Sequence, residues 1–355
     1  MTVRKASNLL ITGGCGFIGS AMIRWLFRNP EFKGHVVNVD LLTYAGNVEN
    51  VSGHVDESRY HFLRADIRDA EAISRACREH DIDTIVHFAA ESHVDRSIDG
   101  PLVFIETNVV GTAKLLEVVR SQPHIHFHHV STDEVYGSLG PTGAFLETTP
   151  YDPRSPYSAS KAGSDHLVSA YAHTFGLSTT MSNCSNNYGA FQFPEKLIPL
   201  MILNMVEGKP LPIYGDGGNV RDWLHVDDHV EAIWTILTRG KTGETYNVGG
   251  RAERTNLQLI DMLVRIVSRE AGRSIESLEA LKTFVKDRPG HDRRYAIDFT
   301  KLENALGWQP RHDLEAGLTD TVRWYLSNPT WIENVRSGAY RAWIEKNYGQ
   351  RTVQA

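Results

Sequence analysis

The sequence predicts an α/β fold in which a large domain built on a parallel sheet precedes a smaller lobe. Over the first half of the chain, short apolar runs alternate with helical patterns, as in βαβ units. The first run, residues 8–12, leads into a glycine-rich turn, residues 13–19, that opens a helix. Beyond residue 185 the segments are short and interrupted by prolines. We therefore predict a Rossmann-type, doubly wound parallel sheet over residues 1–185. A smaller α/β C-terminal substrate lobe would span residues 186–355, with some segments returning to the large domain.

Composition and charge exclude several classes of protein. The 355 residues are 41% hydrophobic and 23% charged, as in ordinary globular proteins. A net charge of −6 provides no basic surface for nucleic acid, and no apolar run approaches the roughly 20 residues of a membrane span. The cysteines Cys15, Cys77 and Cys184 are widely spaced, and Met1 leads within a few residues into a strand. We expect a cytoplasmic protein with reduced thiols that binds neither nucleic acid nor membranes.

The turn Gly13-Gly14-Cys15-Gly16-Phe17-Ile18-Gly19 has the pattern of a nucleotide-binding turn between a strand and a helix. Its glycines let backbone N–H groups approach a pyrophosphate at the positive end of the helix. The next strand, residues 35–39, ends in Asp40, 21 residues after Gly19, where a carboxylate accepts hydrogen bonds from an adenosine ribose. No arginine occurs among the three residues after Asp40, which favours NAD over NADP.

Two further strands, residues 60–65 and 84–90, end at the same edge of the predicted sheet. The first leads to Asp66-Ile67, which can bracket an adenine ring. The second ends in Ala89-Ala90, small residues that leave room for the phosphates and the nicotinamide ribose. Both strand ends therefore extend the predicted NAD site.

The next helical pattern, residues 101–120, is apolar on more than one side. Leu102 and Ile105 lie on one side, whereas Phe104 and Val118 lie elsewhere. Such a helix is covered both by its own sheet and by something else. A second copy of the chain is the partner that we expect, and hence a homodimer.

Two segments carry the groups with reactive chemistry. Residues 131–137 follow an apolar strand and place Thr132, Asp133 and Glu134 side by side at its carboxyl end. Tyr157 and Lys161 are four residues apart, and therefore lie on one face of a helix. A nearby ammonium favours the phenolate and makes the tyrosine a usable base. Taken alone, the two acids could lie in a solvated loop, and a Tyr and a Lys four residues apart often occur by chance. Both segments follow the glycine turn in the order of a Rossmann-type enzyme, which favours a catalytic site.

Four histidines, at positions 124, 126, 128 and 129, invite an interpretation as metal ligands. Metal sites usually add cysteine or carboxylate ligands, which are absent from this segment. Positions 126 and 128 share one face of a strand. We predict structural histidines and no metal.

Several runs resemble the dTDP-glucose 4,6-dehydratases, a family of the extended short-chain dehydrogenase/reductase superfamily. The resemblance extends over roughly residues 7–330 and is carried by residues 89–97, 131–137, 183–189, 193–199, 219–223 and 287–294. Two positions depart from the family pattern. Cys15 stands where the family usually has alanine, and Ala190 stands where proline is usual.

The resemblance implies a NAD-dependent dehydration of a nucleotide-sugar substrate. Tyr157, aided by Lys161 and Thr132, would remove the proton of the glucosyl 4-hydroxyl while C4 is oxidised. Glu134 would then remove the C5 proton, and protonated Asp133 would donate to the departing 6-hydroxyl. Two adjacent carboxyls with opposite duties fit the rule that environments separate paired pKa values.

The same resemblance implies the binding residues. Cofactor contacts would come from Gly13, Gly16, Phe17, Ile18, Gly19, Asp40, Thr43, Asp66, Ile67, Ala89, Ala90, Ser92, Thr107, Tyr157, Lys161 and Asn187. Substrate contacts would come from Ser92, Thr132, Asn186, Lys196, Leu197, Pro212, Tyr214, Arg221, Asn256, Arg288 and His291.

Other functions stay open at this point. A UDP-glucose 4-epimerase shares the fold, NAD and the Tyr-Lys pair, but it eliminates nothing and needs no Asp-Glu pair. GDP-mannose and UDP-glucose 4,6-dehydratases perform the same chemistry, so only the nucleotide-binding loops distinguish them. A catalytically inactive NAD-binding regulator would be expected to lose Tyr157 or Lys161, and both are present.

Overall fold

The computed structural model describes residues 4–337 and is built around a seven-stranded parallel sheet. The strands of the described chain are β1 (Asn8–Thr12), β2 (His35–Asp40), β3 (Tyr60–Arg64), β4 (Thr84–His87), β5 (His126–Thr132), β6 (Thr179–Cys184), β7 (Asn186–Tyr188), β8 (Leu211–Tyr214), β9 (Val220–His225), β10 (Thr245–Val248), β11 (Glu253–Thr255) and β12 (Lys282–Val285). The large sheet has the order β10-β6-β5-β4-β1-β2-β3, so the strand order reverses direction between β1 and β4. This confirms the predicted Rossmann-type fold.

Helices cover both faces of the large sheet and surround the smaller lobe. They are α1 (Phe17–Arg28), α2 (Ala70–Glu79), α3 (Val94–Asp99), α4 (Pro101–Phe104), α5 (Thr112–Ser121), α6 (Pro156–Phe175), α7 (Leu197–Glu207), α8 (Val226–Arg239), α9 (Asn256–Ala271), α10 (Ile275–Glu279), α11 (Thr300–Leu306), α12 (Leu314–Ser327) and α13 (Pro329–Ser337). Within residues 4–337, none of these helices is long and apolar enough to span a bilayer.

The two faces of the sheet have separate cores because successive strand residues point to opposite sides. On one face Leu10 packs in a core with Ile73 of α2 and Leu115 of α5. On the other face Leu9 packs in a core with Met22 of α1 and Val230 of α8. The central strands are apolar on both sides because both cores must be filled.

The predicted helix over residues 101–120 is present without a break, but its middle part has a wider turn. A π-helical segment, Ile105–Gly111, separates α4 from α5. Gly111 lies so close to the Ile67 side chain that a Cβ there would come within 2.4 Å of it. Asn108 bridges both backbone polar groups of Glu91, at 2.9 Å each, and donates to Ser160 Oγ at 2.8 Å. The wider turn lets this helix contact the loop after β4 and brings Thr107 to the cleft described below.

The smaller lobe is built on two short sheets, ordered β11-β9-β7 and β12-β8. Its core contains Ile202 of α7, Leu263 of α9 and Leu318 of α12. In contrast, β10 pairs with β6 in the large sheet and α8 packs against α1. Segments after residue 186 thus contribute to both parts, although the division at residue 185 stays a prediction.

Helix α13 links the end of the described chain to its beginning. Trp331 is buried, and its indole N–H donates to Asn50 Oδ1 at 2.8 Å. The Asn50 amide in turn donates to the carbonyl of Cys15 in the glycine turn at 2.9 Å. Trp331 also packs edge-on against Phe191 and belongs to the core of the smaller lobe. One helix therefore contacts the glycine turn through Asn50 while it is anchored in the other lobe.

Candidate active site at the carboxyl edge of the sheet

The main cleft of the described chain lies at the carboxyl ends of β1, β2, β4, β5 and β6, around the reversal in strand order. Its lining includes the predicted cofactor residues Gly13, Gly16, Phe17, Ile18, Gly19, Asp40, Thr43, Asp66, Ile67, Ala89, Ala90, Ser92, Thr107 and Asn187. It also includes the predicted catalytic residues Thr132, Asp133, Glu134, Tyr157 and Lys161. The fold therefore brings together residues spread over most of the first 190 positions.

The glycine turn is shaped by close backbone contacts. Gly13 has φ +71°, and a Cβ there would stand 2.7 Å from the Ala89 backbone. A Cβ on Gly19 would stand 2.3 Å from the carbonyl oxygen of Gly13. Larger residues would separate β1, α1 and the β4 loop, and so move the N–H groups at the start of α1. The turn thus fits a dinucleotide pyrophosphate.

Asp40 is held in place at the end of β2 by two backbone donors. Its Oδ2 accepts from the Cys15 N–H at 2.9 Å, and its Oδ1 accepts from the Leu42 N–H at 2.8 Å. Burial raises the pKa of Asp40, and these two hydrogen bonds oppose that shift. The carboxylate is fixed at the edge of the cleft, where further lone pairs suit the hydroxyls of a ribose.

The acids Asp133 and Glu134 leave β5 on a short 3₁₀ turn, Asp133–Tyr136. Thr132 caps this turn, and its Oγ1 accepts from the Glu134 N–H at 3.3 Å. Asp133 is only 2% exposed, and its Oδ2 has no hydrogen-bond partner within the described residues. Asp133 lines the cleft, and a carboxyl that carries a proton there is a potential proton donor.

The surroundings of these two acids differ. Burial and the neighbouring Glu134 raise the pKa of Asp133 well above its ordinary value. Burial also raises the pKa of Glu134, but Arg288, Arg221 and Lys196 oppose that shift. Of the two acids, Asp133 therefore holds a proton more readily than Glu134.

Tyr157 lies in the first turn of α6 and faces these acids. A reciprocal capping box between Ser155 and Ser158 fixes the start of that helix. Burial and the charge of Glu134 raise the pKa of Tyr157 well above its ordinary value, whereas its hydrogen bond with Thr132 lowers it. The phenol is therefore protonated in the isolated protein.

Lys161 lies one turn further along α6 and is also buried. Its ammonium donates to the carbonyl of Val130 at 2.9 Å and lies 3.3 Å from Nε2 of His129. These contacts with β5 fix the ammonium one helical turn from Tyr157. Its effect on the pKa of Tyr157 stays a prediction.

The histidines of β5 have hydroxyl partners on β6 and α6. His126 lies 2.9 Å from Ser178 Oγ and 2.9 Å from Thr180 Oγ1. His128 lies 2.9 Å from Thr180 Oγ1 and 3.1 Å from Ser182 Oγ. No group of three or more potential metal ligands occurs within residues 4–337.

Cations from the smaller lobe approach the acids from the opposite side. Lys196 is half-buried and lines the cleft, and its ammonium donates to the Ser92 carbonyl at 3.0 Å. Arg221 donates to the Asp292 carbonyl at 3.0 Å, and its guanidinium lies over the Tyr295 ring at 4.2 Å. Both cations retain further N–H groups for an anionic ligand.

Arg288 and Tyr214 meet at one carboxylate of α3. Arg288 Nη1 lies 3.3 Å from Asp95 Oδ1, and the Tyr214 hydroxyl donates to Asp95 Oδ2 at 3.4 Å. His291 lies 2.6 Å from Asp287 through Nδ1 and stacks edge-on with Tyr214. Two predicted substrate residues, Arg288 and Tyr214, therefore share one carboxylate of the protein itself.

Predicted substrate residues divide into two groups. Ser92, Thr132, Asn186 and Lys196 line the main cleft. Outside that lining are Leu197, Pro212, Tyr214, Arg221, Asn256, Arg288 and His291. Asn256 opens α9, where its N–H donates to the Asn219 carbonyl at 2.9 Å. Their contacts with a substrate stay predictions.

The cleft also contains residues that the sequence did not single out. Tyr44 lies under the guanidinium of Arg96, 3.8 Å from the ring centroid, and edge-on to Phe193 at 5.5 Å. Glu195 pairs with Arg96 at 3.3 Å. Tyr44, Phe193 and Glu195 line the cleft, and Arg96 lies on the adjacent helix α3. The three cleft residues come from two loops without a periodic pattern, so sequence periodicity gave no signal for them.

Comparisons with known proteins agree with this site. The family model described as GDP-mannose 4,6 dehydratase matches residues 10–321. The chain is 53% identical to the dTDP-glucose 4,6-dehydratase of Shigella flexneri over 97% of this chain and 99% of the relative. It is 52% identical to that of Neisseria meningitidis, over 94% and 97%.

Solved structures show the same relationship. The dTDP-glucose 4,6-dehydratase of Streptomyces venezuelae, solved with NAD, has a TM-score of 0.87 and 46% identity, covering 93% of this chain and 100% of that one. The UDP-glucose 4-epimerase of Thermotoga maritima has a TM-score of 0.81 and 30% identity, with coverages of 91% and 99%. Fold, glycine turn and Tyr-Lys pair define an extended short-chain dehydrogenase/reductase. Within that class, the chain belongs to the dTDP-glucose 4,6-dehydratase family.

The crowding of Gly13 leads to a test of the cofactor site. Gly13→Ala places a methyl group against the Ala89 backbone and should reduce the dinucleotide retained through purification at least tenfold. The measurement is chromatography of the nucleotide released by denaturing the protein.

Gly53→Ala is the matched control. Gly53 has a similar φ of +76° but no atom within 4 Å of its Cβ position, so the variant carries the same backbone strain without the crowding. Equal loss of dinucleotide from both variants would contradict the assigned role of Gly13.

Proposed function

We propose that this protein catalyses the NAD-dependent dehydration of dTDP-glucose to dTDP-4-keto-6-deoxyglucose. The observation that carries the proposal is the pair Asp133 and Glu134, placed in environments that favour opposite protonation states beside Tyr157 and Lys161. The curated relatives named dTDP-glucose 4,6-dehydratase support it over nearly the full length of the chain.

NAD fits the cleft because the crowded glycine turn, the fixed Asp40 carboxylate and the small residues Ala89 and Ala90 leave a continuous path along the sheet edge. When bound, NAD accepts the hydride from C4 of the sugar and returns it to C6. The structure of a relative solved with NAD supports this choice.

Oxidation at C4 requires a base for the proton of the 4-hydroxyl. We assign that role to Tyr157, because it lines the cleft and is hydrogen-bonded to Thr132. Lys161, one turn away on the same helix face, supplies the positive charge that favours the phenolate. The charge of Glu134 opposes ionisation of the phenol, so it must be balanced while Tyr157 acts as a base.

Elimination of water requires one base and one acid on adjacent carbons. The ketone at C4 acidifies the hydrogen at C5, and the ionised Glu134 removes it. The protonated Asp133 donates to the 6-hydroxyl as it leaves as water, which leaves a double bond between C5 and C6. The returning hydride would add to C6 while C5 takes back a proton, and this gives the 4-keto-6-deoxy sugar. This division of roles follows from the three cations near Glu134 and their smaller effect on Asp133.

The nucleotide diphosphate would lie between the lobes. Arg221 and Arg288 carry guanidinium groups whose fork geometry matches phosphate oxygens. We propose that they hold the diphosphate, with Lys196 near the sugar. Substrate phosphate would then replace Asp95 as the partner of Arg288.

A 4-epimerase is the alternative that the fold similarity raises. An epimerase transfers hydride at C4 and eliminates nothing, so it has no use for a paired acid and base at C5 and C6. The asymmetric environments of Asp133 and Glu134 therefore favour dehydration.

We further propose that the protein is a cytoplasmic homodimer. Around α4 and the π-helical segment, large apolar side chains are exposed to solvent: Ile98 at 39%, Leu102 at 74%, Val103 at 47%, Ile105 at 42% and Val110 at 42%. A contiguous apolar surface of this kind is typical of a protein–protein interface. A second copy of the chain would cover it.

The proposed reaction is tested with purified protein and dTDP-, UDP-, CDP- and GDP-linked glucose, with GDP-mannose as a further substrate. We expect the loss of one water from dTDP-glucose, measured by mass spectrometry, at a rate well above the others. An unchanged mass with conversion to galactose would show an epimerase instead.

The two acids should be separable by exchange with solvent. In deuterium oxide, Asp133→Asn should still exchange the hydrogen at C5, because Glu134 remains, while product forms about 10²- to 10⁴-fold more slowly. Glu134→Gln should show neither exchange nor product. Mass spectrometry of recovered substrate and product measures both.

Parent protein and Tyr157→Phe, which should block the first step, are the controls. Turnover of Glu134→Gln at near the parent rate would exclude its assigned role and favour the epimerase.

The proposed dimer is tested by light scattering at micromolar concentration. The double change Leu102→Glu and Ile105→Glu should convert a dimer into a monomer, because buried charges at an interface are costly. Leu146→Glu is the control, since Leu146 is 48% exposed on a separate loop. A monomeric parent, or an equal effect of the control, would refute the proposed interface.

A further inference from the structure

A buried group of polar side chains lies behind Lys161, on the side of α6 that faces β5. Its centre is Asp165, which follows Lys161 by one helical turn and is 1% exposed. Carboxylates are rarely buried to this extent unless they are paired or hydrogen-bonded. The proposed mechanism gives Asp165 no role.

Hydrogen bonds hold one oxygen of Asp165 in place. Ser131 Oγ donates to Oδ2 at 2.7 Å, and the Tyr151 hydroxyl donates to the same atom at 3.0 Å. Asn183 in turn donates to the Tyr151 hydroxyl at 3.3 Å and to the Thr132 carbonyl at 3.2 Å. The network therefore connects Asp165 to the end of β5, where the acids begin.

The other oxygen of Asp165 faces His129. Asp165 Oδ1 lies 3.1 Å from His129 Nε2 and has no hydrogen-bond donor within residues 4–337. The same Nε2 lies 3.3 Å from the Lys161 ammonium. Burial lowers the pKa of His129 well below its ordinary value, so the imidazole is neutral. The neutral His129 imidazole thus lies between the buried Asp165 carboxylate and the buried Lys161 ammonium.

Charge balance indicates what the pair does. Burial lowers the pKa of Lys161, and the charge of Asp165 raises it. Burial raises the pKa of Asp165, and the charge of Lys161 lowers it. Other titratable groups around the pair are His87, His129, Tyr136, Tyr151, His166 and Cys184. Burial raises the pKa of the Cys184 thiol to about 12. Burial also raises the pKa of the Tyr151 hydroxyl, so both groups stay protonated.

We propose that Asp165 is a positioning residue of the reaction: its carboxylate, fixed by Ser131 and Tyr151, keeps the Lys161 ammonium charged. The inference rests on the proposed function, in which Lys161 acts on Tyr157. Asp165 itself touches neither substrate nor cofactor in this role. It acts through Lys161, and His129 sets the separation of the two charges.

The proposal predicts the direction of a pH effect. Lys161 is active when protonated, so activity falls as the pH rises through its pKa. Loss of the nearby anion lowers that pKa by about one unit or more. Asp165→Asn should therefore move the alkaline limb of the kcat profile to lower pH by about one unit or more, with KM unchanged. Asparagine keeps the acceptor for Ser131 and Tyr151 and removes only the charge.

Three further variants complete the experiment. Asp165→Glu restores the charge and should return the limb toward its parent position. Tyr151→Phe removes a hydrogen bond of the same network but leaves the Asp165 carboxyl and its Ser131 donor, so its alkaline limb should move less than that of Asp165→Asn. Asp165→Ser, which leaves room for a water, replaces the asparagine variant if that protein does not fold.

The outcomes are distinct. A kcat lowered by the same factor at every pH, or an unmoved alkaline limb in both uncharged variants, would overturn the role of Asp165. Failure of the parent to dehydrate dTDP-glucose would refute the proposed function instead. Cofactor content and thermal unfolding midpoint, measured on each variant, separate a loss of fold from a change of charge.

Discussion

Burial of ionisable groups where β5 meets α6 is the constraint on which the site depends. Asp133, Tyr157, Lys161 and Asp165 are all buried there. In such surroundings a charge persists only if another charge or several hydrogen bonds compensate for lost water. The protonation state of each group is therefore set by its neighbours. Where β5 meets α6, the packing of the side chains therefore also determines their chemistry.

The compensating charges come from both parts of the molecule. Lys161 has its counter-charge within the large domain, whereas Glu134 has Arg221 and Arg288 from the smaller lobe. A separated large domain would keep both acids but would lose the cations that favour ionised Glu134. This explains why acids at the end of one sheet need a second lobe for more than substrate binding. Contact between the two lobes therefore helps to determine which of Asp133 and Glu134 acts as the acid and which as the base.

Much of this architecture could be predicted from the sequence, because local patterns determine it. The glycine turn, Asp40 and the acids after β5 lie at strand ends, and parallel strands bring their ends to one edge. The Tyr157 and Lys161 pair follows from helical spacing. These signals depend on residues close together in the chain.

Other features depend on contacts between distant segments and gave no local signal. The π-helical segment ends at Gly111, which packs against Ile67 from a distant part of the chain, and the pairing of Arg288 with Asp95 joins residues 193 positions apart. In the sequence, Asp165 is one of several polar residues on a helix. Only the packing of that helix against β5 buries its carboxyl group. The actual partners of Lys161 were likewise not predictable from its spacing to Tyr157.

Helix α13 has a consequence for the lifetime of the bound cofactor. Trp331 and Asn50 are 281 positions apart, yet their hydrogen bond holds the loop that supports the Cys15 carbonyl in the glycine turn. Trp331 is packed in the core of the smaller lobe. A hinge motion that separated the lobes would therefore displace the glycine turn. Contact between the lobes is thereby coupled to the conformation of the glycine turn, and it would favour retention of the dinucleotide from one turnover to the next. The last helix of the described chain thus helps to hold the glycine turn in place through Asn50.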